Sequence, residues 1–238
     1  MANNNRKKAM AKGLALLISF SVVFVILFMP WFGDGMTGLE YSDDLFNKLS
    51  KGSSNFFAEI EPQIDTLKGK ELDVTYALKK KEYLDKAPAL LAAVGLYAKV
   101  EGEKLSVKGD AGKSLSQILV TAHNMYDNDG KKVSEFYKTD EKQAMTILWN
   151  VLNDMIIPLQ KKGQIEEAKV INTVVKKGIE PAYNFYGIPT ESVKTKAGTV
   201  LFLLAFYVIY TLWYGFGIFE VFEGLGLSMK KSKVKKEV

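Results

Sequence analysis

The sequence contains no cysteine and only one histidine, His123. Without cysteine the chain has no disulfides, no thiolate catalysis, no iron–sulfur ligation and no cysteine-based zinc site. A single imidazole is a poor start for a transition-metal site, because such sites usually take three or four protein ligands. We therefore expect no cofactor and no metal centre, and a fold held together by packing alone.

A phosphate-binding loop is also missing, although one segment is similar to it. Residues 109–114, GDAGKS, lie between an expected strand and an expected helix, where nucleotide-binding proteins place that loop. The loop needs a glycine five residues before Gly112, and this chain has Val107 there. We predict instead a plain strand-to-helix turn in which Asp110 or Ser114 caps the helix.

Residues 127–130, DNDG, suggest a calcium loop, but the flanking residues exclude it. If Gly130 is the sixth loop residue, the first and twelfth positions fall on Met125 and Phe136, which cannot bind calcium. Asp, Asn and Gly are the residues that turns select, so a turn is the better interpretation. No Ser, His and Asp residues have a spacing that indicates a catalytic triad. We predict that the protein is not an enzyme.

Two long uncharged runs, one near each end, are the strongest features that the chain does have. Residues 13–33 read GLALLISFSVVFVILFMPWFG and residues 197–219 read AGTVLFLLAFYVIYTLWYGFGIF. A helix needs about 20 apolar residues to cross a bilayer. The sequence therefore predicts a two-pass membrane protein with transmembrane helices at 13–33 and 197–223.

The two terminal tails predict the orientation, because lysine and arginine next to a crossing favour the cytoplasmic side. The tail 1–12 carries no acid and the tail 224–238 carries one, Glu237. Their bases are Arg6, Lys7, Lys8 and Lys12, and Lys230, Lys231, Lys233, Lys235 and Lys236. We expect both tails in the cytoplasm, the crossings in the cytoplasmic (inner) membrane, and residues 34–196 in the periplasm or another extracellular space.

The basic character of the chain also comes from these tails. The sequence pI is about 9.0, whereas the charges of the intervening segment nearly balance. A nucleic-acid-binding protein needs a basic face on its folded domain, so we expect no nucleic-acid partner. The expected partners of the tails are the anionic headgroups of membrane lipids.

The first run has a basic start, as a cleaved signal peptide does. Its apolar part is longer than that of a signal peptide, and it ends in MPWF rather than in a small-x-small cleavage site. Trp31 lies where aromatic residues anchor a helix at the membrane surface. We interpret the run as an uncleaved anchor.

The middle segment is predicted to be mostly helical, because apolar residues recur there at spacings of three and four. Asp140 or Thr139 can cap one helix start and Gly163 its end, while Pro158 should kink or terminate that helix. Helices are predicted at 42–49, 54–67, 86–100, 112–127, 139–163 and 164–178, and strands at 72–76 and 105–108. The predicted fold class is mostly α: two transmembrane helices flank an extracytoplasmic helical bundle, with room for one small β-hairpin.

The second apolar run carries a seam of tyrosines that ends in small residues. Its members follow steps of three and four and so line one side of a helix: Tyr207, Tyr210, Tyr214, Gly217, Val221 and Gly224. Small residues let another helix approach, and hydroxyls inside a membrane need a hydrogen-bond partner. The seam predicts either an assembly face or a surface that packs against the first helix or lipid, and the pattern alone leaves both open.

Two acids follow this seam at the expected inner boundary of the membrane. Glu220 and Glu223 lie one helical turn apart, and an acid near hydrocarbon is costly unless it is paired or hydrated. One interpretation places both in the headgroup zone, paired with Lys8 or Lys12. The other adds them to the candidate assembly face, as a contact to another subunit or as a cation or proton site of an oligomer.

The leading functional hypothesis is a non-enzymatic structural or accessory protein anchored in the membrane. It would assemble through its second helix, as a homo-oligomer or as a subunit of a larger membrane complex. In topology and length, the helix–domain–helix layout resembles the sensory half of bacterial chemoreceptors and sensor kinases. That resemblance implies the alternative, a ligand-binding sensor module. Because only a short lysine-rich tail follows the second run, such a sensor would signal through a separate partner.

Overall fold

The computed structural model describes residues 2–227, which are mostly helical and include a small three-stranded sheet. The chain divides into two compact units, one of residues 2–46 with 192–227 and one of Asn47–Glu191. Residues 228–238 of the predicted tail 224–238, including Lys230, Lys231, Lys233, Lys235, Lys236 and Glu237, lie outside the described residues.

The first unit contains the two apolar helices. Helix α1 is Ala2–Leu27 and helix α10 is Val193–Leu225, and both are long and apolar enough to cross a membrane. Ser192 caps α10 with its side chain, and Gly226 ends it in the left-handed conformation. Helix α2, Gly38–Ser53, includes the division between the two units.

The second unit is built from short helices and one long helix. They are α3 (Phe57–Asp65), α4 (Ala87–Ala93), α5 (Ala111–Tyr126), α6 (Gly130–Tyr137), α7 (Glu141–Lys161), α8 (Ile165–Thr173), a π-helical segment (Val174–Ile179) and α9 (Glu180–Asn184). The predicted start of the long helix is confirmed, because the Asp140 carboxylate accepts a hydrogen bond from the Gln143 amide at 2.8 Å. Gly163 follows its end with a φ of +81°.

The sheet is antiparallel, with strands β1 (Glu71–Ala77), β2 (Tyr97–Glu101) and β3 (Lys104–Asp110) in the order β1-β3-β2. Both predicted strands are confirmed, as β1 and β3. Glu101 pairs with Lys104, so Gly102 and Glu103 form a two-residue hairpin turn in which Gly102 has a φ of +63°. One hairpin is therefore present, but the third strand was not predicted.

The structure corrects one predicted helix and adds one that was not predicted. The predicted helix 86–100 ends at Ala93, and its second half is strand β2. Helix α7 stays close to its predicted range 139–163, and Pro158 does not terminate it. The fully buried Met155 and Leu159 keep the last turn packed despite the lost backbone donor. Helix α6 was not predicted, because its eight residues are too few for a clear period.

The core of the second unit lies between the inner face of the sheet and the helices. Val74 of β1 and Val107 of β3 are fully buried, while the residues beside them on β1 are exposed, as alternation on a half-buried strand requires. Helix α7 buries one apolar face, of which Ile156 is only partly buried. The buried residues of this face are Met145, Leu148, Val151, Leu152, Met155 and Leu159. The Tyr76 hydroxyl donates to the Val151 carbonyl at 2.9 Å and so ties β1 to α7.

Candidate functional site

Three glycines let α1 and α10 pack closely in the first unit. A Cβ atom at Gly13 would lie 2.6 Å from the backbone nitrogen of Val221. A Cβ atom at Gly217 would lie 2.8 Å from the Leu17 side chain, and one at Gly224 would lie 2.8 Å from Met10. At Gly13 and Gly224 the close atoms include backbone, which cannot move aside, so only glycine fits at this separation of the two helices. At Gly217 the Leu17 side chain would have to shift.

The structure divides the predicted assembly residues between two directions. Tyr210, Gly217 and Glu220 face α1: the Tyr210 ring stacks on Phe20 at 4.3 Å between centroids, Gly217 is buried, and Glu220 Oε1 lies 2.6 Å from Lys12 Nζ. Tyr207 is 67% exposed, and α1 does not cover it. Tyr214 is intermediate, because its ring contacts Phe20 at 4.9 Å while the residue stays 46% exposed.

Polar atoms are buried without partners along this helix pair. Among residues 2–227 the Tyr210 hydroxyl, the Trp213 indole nitrogen and Glu223 Oε1 are enclosed and form no hydrogen bond. A buried polar group without a partner costs about 1–3 kcal/mol. Within residues 2–227, Glu223, the last of the predicted assembly residues, forms no ion pair, whereas Glu220 pairs with Lys12.

In the second unit, the side chain of Lys51 in α2 is the centre of a polar cluster that the sequence did not indicate. Lys51 is only 1% exposed. Its ammonium donates to the carbonyls of Ile188 at 2.6 Å and Phe185 at 3.2 Å and to Asn128 Oδ1 at 3.1 Å. It also lies 5.0 Å from the centre of the Tyr126 ring. The three N–H groups of the Lys51 ammonium thus have three oxygen acceptors, and none of these acceptors is charged.

Asn128 completes this cluster from the turn between α5 and α6. Its backbone is left-handed, with a φ of +66°, as a turn residue of this type tolerates. Its Oδ1 also accepts from the Gly187 amide at 2.7 Å, and its Nδ2 donates to the Ile188 carbonyl at 3.0 Å. The loop after α9 is therefore held by two side chains that are far from it in sequence.

Burial lowers the pKa of Lys51, and the negative charge of Asp127 partly opposes this shift. The cause is desolvation, since the ammonium gives up water for neutral acceptors. The cluster therefore ties Lys51 and Asn128 to the loop after α9, although burial disfavours the charged form of Lys51. We call these contacts the Lys51 clasp.

A groove lies between α7 and the helical turn at α9, with a volume of about 360 Å³. This size falls within the range of about 300–1,000 Å³ that small-molecule sites occupy. Apolar, aromatic and polar side chains all contribute to its wall: Lys80, Met145, Thr146, Trp149, Asn150, Ile179, Glu180, Tyr183 and Asn184.

Glu180 is the centre of the polar contacts in this groove. Its Oε1 accepts from the Trp149 indole at 2.9 Å and from the Lys176 ammonium at 2.6 Å. The same ammonium lies 5.8 Å from the centre of the Trp149 ring. The Glu180 carboxylate is therefore paired with an ammonium, and its bond to the indole orients the Trp149 ring.

The π-helical segment Val174–Ile179 positions two of the groove residues. A π-helix inserts an extra residue into a turn, which rotates every following side chain relative to an uninterrupted α-helix. Ile179 and Glu180 follow directly and line the groove, and Tyr183 lies one turn further on. Such insertions occur frequently at functional sites.

The sequence had predicted none of these groove residues, although one signal was present. Asn150 interrupts the apolar series of α7 and is buried, at 7% exposure. A polar residue at a core position indicates a specific hydrogen bond or a site. Glu180 and Tyr183 had no such signal, because their direction depends on the π-helical segment.

The remaining sequence motifs have structural roles. The Asp110 carboxylate accepts from the Lys113 amide at 2.9 Å, so GDAGKS is the predicted strand-to-helix turn. Asp129 caps α6 after the turn at Asn128. The His123 ring stacks on Phe57 at 4.3 Å, and its Nε2 lies 3.5 Å from the Asp127 carboxylate. Within residues 2–227, no three His, Asp or Glu side chains form a group that could hold a metal ion.

The chain matches no protein-family model, no curated protein and no solved structure.

Proposed function

We propose that the protein is a non-enzymatic, membrane-anchored accessory protein that assembles through α10. In this proposal α1 and α10 cross the cytoplasmic membrane as a close pair, and the Asn47–Glu191 unit lies on the outer side as the predicted helical domain. The length and hydropathy of the two helices support the anchor. The basic residues that begin α1 support a cytoplasmic N-terminus in contact with anionic headgroups.

The observation that carries the assembly proposal is a polar stripe of α10 that α1 leaves largely exposed. Tyr207, Thr211 and Tyr214 follow each other at steps of four and three, beside the face that α1 occupies. The Thr211 hydroxyl is satisfied within the helix by the Tyr207 carbonyl at 2.8 Å. Tyr207 presents its phenol outward, and a phenol in hydrocarbon needs an acceptor from a neighbouring helix.

Gly215 adds room for such a neighbour. A Cβ atom there would meet no described atom within 4 Å, in contrast to the three glycines that contact α1. Small residues on an uncovered helix face permit a second close helix pair. The neighbour is a second copy of this chain or another membrane subunit.

Photocrosslinking tests this assembly face, since the chain has no native cysteine. Benzophenone maleimide attached in native membranes to Tyr207→Cys should capture a neighbouring protein. The mass of the product distinguishes a homo-oligomer from a complex with another subunit. Leu212→Cys is the matched control, because Leu212 is similarly exposed on a different side of α10. Equal capture at both positions, or no protein captured at Tyr207→Cys, contradicts the proposal.

A second candidate function is ligand recognition by the Asn47–Glu191 unit, with signalling through a separate partner. The groove beside Trp149 favours it, because apolar, aromatic and hydrogen-bonding side chains converge there. The two candidates are compatible, since a ligand-binding unit can be carried by an assembling anchor.

A further inference from the structure

We propose that the groove between α7 and α9 binds a neutral, hydroxyl-bearing ring, that is, a mono- or disaccharide. This inference rests on the second candidate function and specifies its ligand class. It follows from the charge, the aromatic surface and the hydrogen-bonding groups of the groove.

The charges of the groove disfavour an ionic ligand. Oε1 of Glu180 accepts from Lys176 at 2.6 Å and from the Trp149 indole at 2.9 Å, so the charge of this carboxylate is already balanced by an ammonium. The ammonium of Lys80 at the rim lies 5.6 Å from the centre of the Tyr83 ring. A neutral ligand leaves the ion pair and the Lys80 contact intact and requires no further buried charge to be paired.

The aromatic side chains supply a surface for a ring. Trp149 is held by its bond to Glu180, and Tyr183 is 43% exposed at the groove. The face of an aromatic ring is electronegative, and the C–H groups on the face of a sugar ring carry partial positive charge. Met145 and Ile179 add apolar surface beside them.

The amide side chains supply partners for hydroxyl groups. Asn150 Nδ2 donates to the Thr146 carbonyl at 2.7 Å, which orients the amide and leaves Oδ1 as an acceptor. Asn184 lines the groove as an exposed residue, so its amide has both a donor and an acceptor to offer. A hydroxyl group both donates and accepts, and it matches such amides better than a charged group does.

Fluorescence of Trp149 in the full-length protein tests the proposal. Trp31 and Trp213 are the other two tryptophans, so Trp31→Phe with Trp213→Phe leaves Trp149 as the sole indole. The probes are glucose, N-acetylglucosamine, cellobiose and chitobiose, with phenylalanine and glutamate as ionic comparisons. We expect a saturable change of Trp149 emission with at least one saccharide and none with the amino acids.

Variants show whether the signal comes from the groove. Tyr183→Ala should weaken saccharide binding about tenfold, the value of one aromatic contact, while Tyr183→Phe should retain it. Asn184→Ala should also weaken it. Tyr97→Ala is the matched control, because Tyr97 is an exposed aromatic residue on β2 outside the groove. Equal affinity in Tyr183→Ala and Tyr97→Ala would overturn the proposal.

The fluorescence results distinguish the saccharide assignment from the ligand-binding function itself. If only phenylalanine or glutamate changes the emission, the saccharide assignment is wrong and the ligand-binding function stands. If no probe changes the emission, both the ligand class and the ligand-binding function are rejected.

Discussion

At the scale of single residues, the main surprise is the buried ammonium of Lys51. Lysine is almost never fully buried, and this one is surrounded by carbonyls and an amide rather than by a carboxylate. Nothing near it in the sequence distinguishes Lys51 from the many exposed lysines. Its partners come from residues 128 and 185–188, so only the folded chain reveals its role.

Lys51 should make stability depend on pH in the alkaline range. Its folded pKa is lowered from about 10.5, so below that pH the unfolded chain binds the proton more readily than the folded one. The free energy of unfolding should therefore rise as the pH is raised toward 10.5. In Lys51→Met this rise should be smaller.

Thermal unfolding of both proteins in detergent, followed by circular dichroism at several pH values between neutral and 10.5, measures the difference. Lys104→Met is the control, because Lys104 is exposed in the hairpin. Identical pH dependence in the wild type and in Lys51→Met would show that the ammonium is not desolvated as described.

At the scale of secondary-structure elements, the sequence was most informative where a helical apolar period extends over many residues. Helices α5 and α7 were predicted almost to their ends, and both N-caps, Asp110 and Asp140, lie where expected. The error at 86–100 has a physical cause: its apolar run has no clear period, so a buried helix and a strand look alike. Gly95, with a φ of +84°, ends the helical part, and pairing with β3 makes the rest a strand.

Gly112 is the contact through which α5 reaches the end of α3. A Cβ atom there would lie 2.5 Å from the backbone nitrogen of Lys68, and the Gly112 amide donates to the Leu67 carbonyl at 3.2 Å. Backbone cannot yield as a side chain does, so Gly112→Ala should lower the free energy of unfolding by about 1–3 kcal/mol. Chemical denaturation followed by Trp149 fluorescence measures this.

Lys113→Ala, an exposed change at the next position of α5, should stay within about 0.5 kcal/mol of the wild type. Equal stability of Gly112→Ala and Lys113→Ala would mean that α5 does not pack on the Leu67–Lys68 backbone.

At the scale of the whole molecule, the proposed topology is the premise of both candidate functions. It places residue 7 in the cytoplasm and the β2–β3 hairpin on the outer side. The cysteine-free chain allows a direct test with a membrane-impermeant maleimide on spheroplasts. Lys104→Cys should be labelled in intact spheroplasts, whereas Lys7→Cys should react only after the membrane is permeabilised.

Both positions are exposed in the structure, so reactivity reports the side of the membrane rather than burial. Labelling of Lys7→Cys but not Lys104→Cys in intact spheroplasts would invert the topology. Labelling of neither would place the Asn47–Glu191 unit inside the cell.

The sequence by itself determined the features that depend on local composition. An uncharged run of sufficient length must form a helix that hydrocarbon can surround, and a strong apolar period must form an amphipathic helix. These rules identified α1, α10, α5 and α7 without reference to the rest of the chain.

Only the tertiary structure decided which side chains meet. The groove depends on a π-helical turn that re-aims Glu180, and the clasp depends on Lys51 reaching a loop more than a hundred residues away. The tyrosines of α10 have a regular spacing, but α1 determines which of them stay uncovered. Such contacts arise from packing between segments that are distant in sequence, so a local sequence pattern cannot predict them.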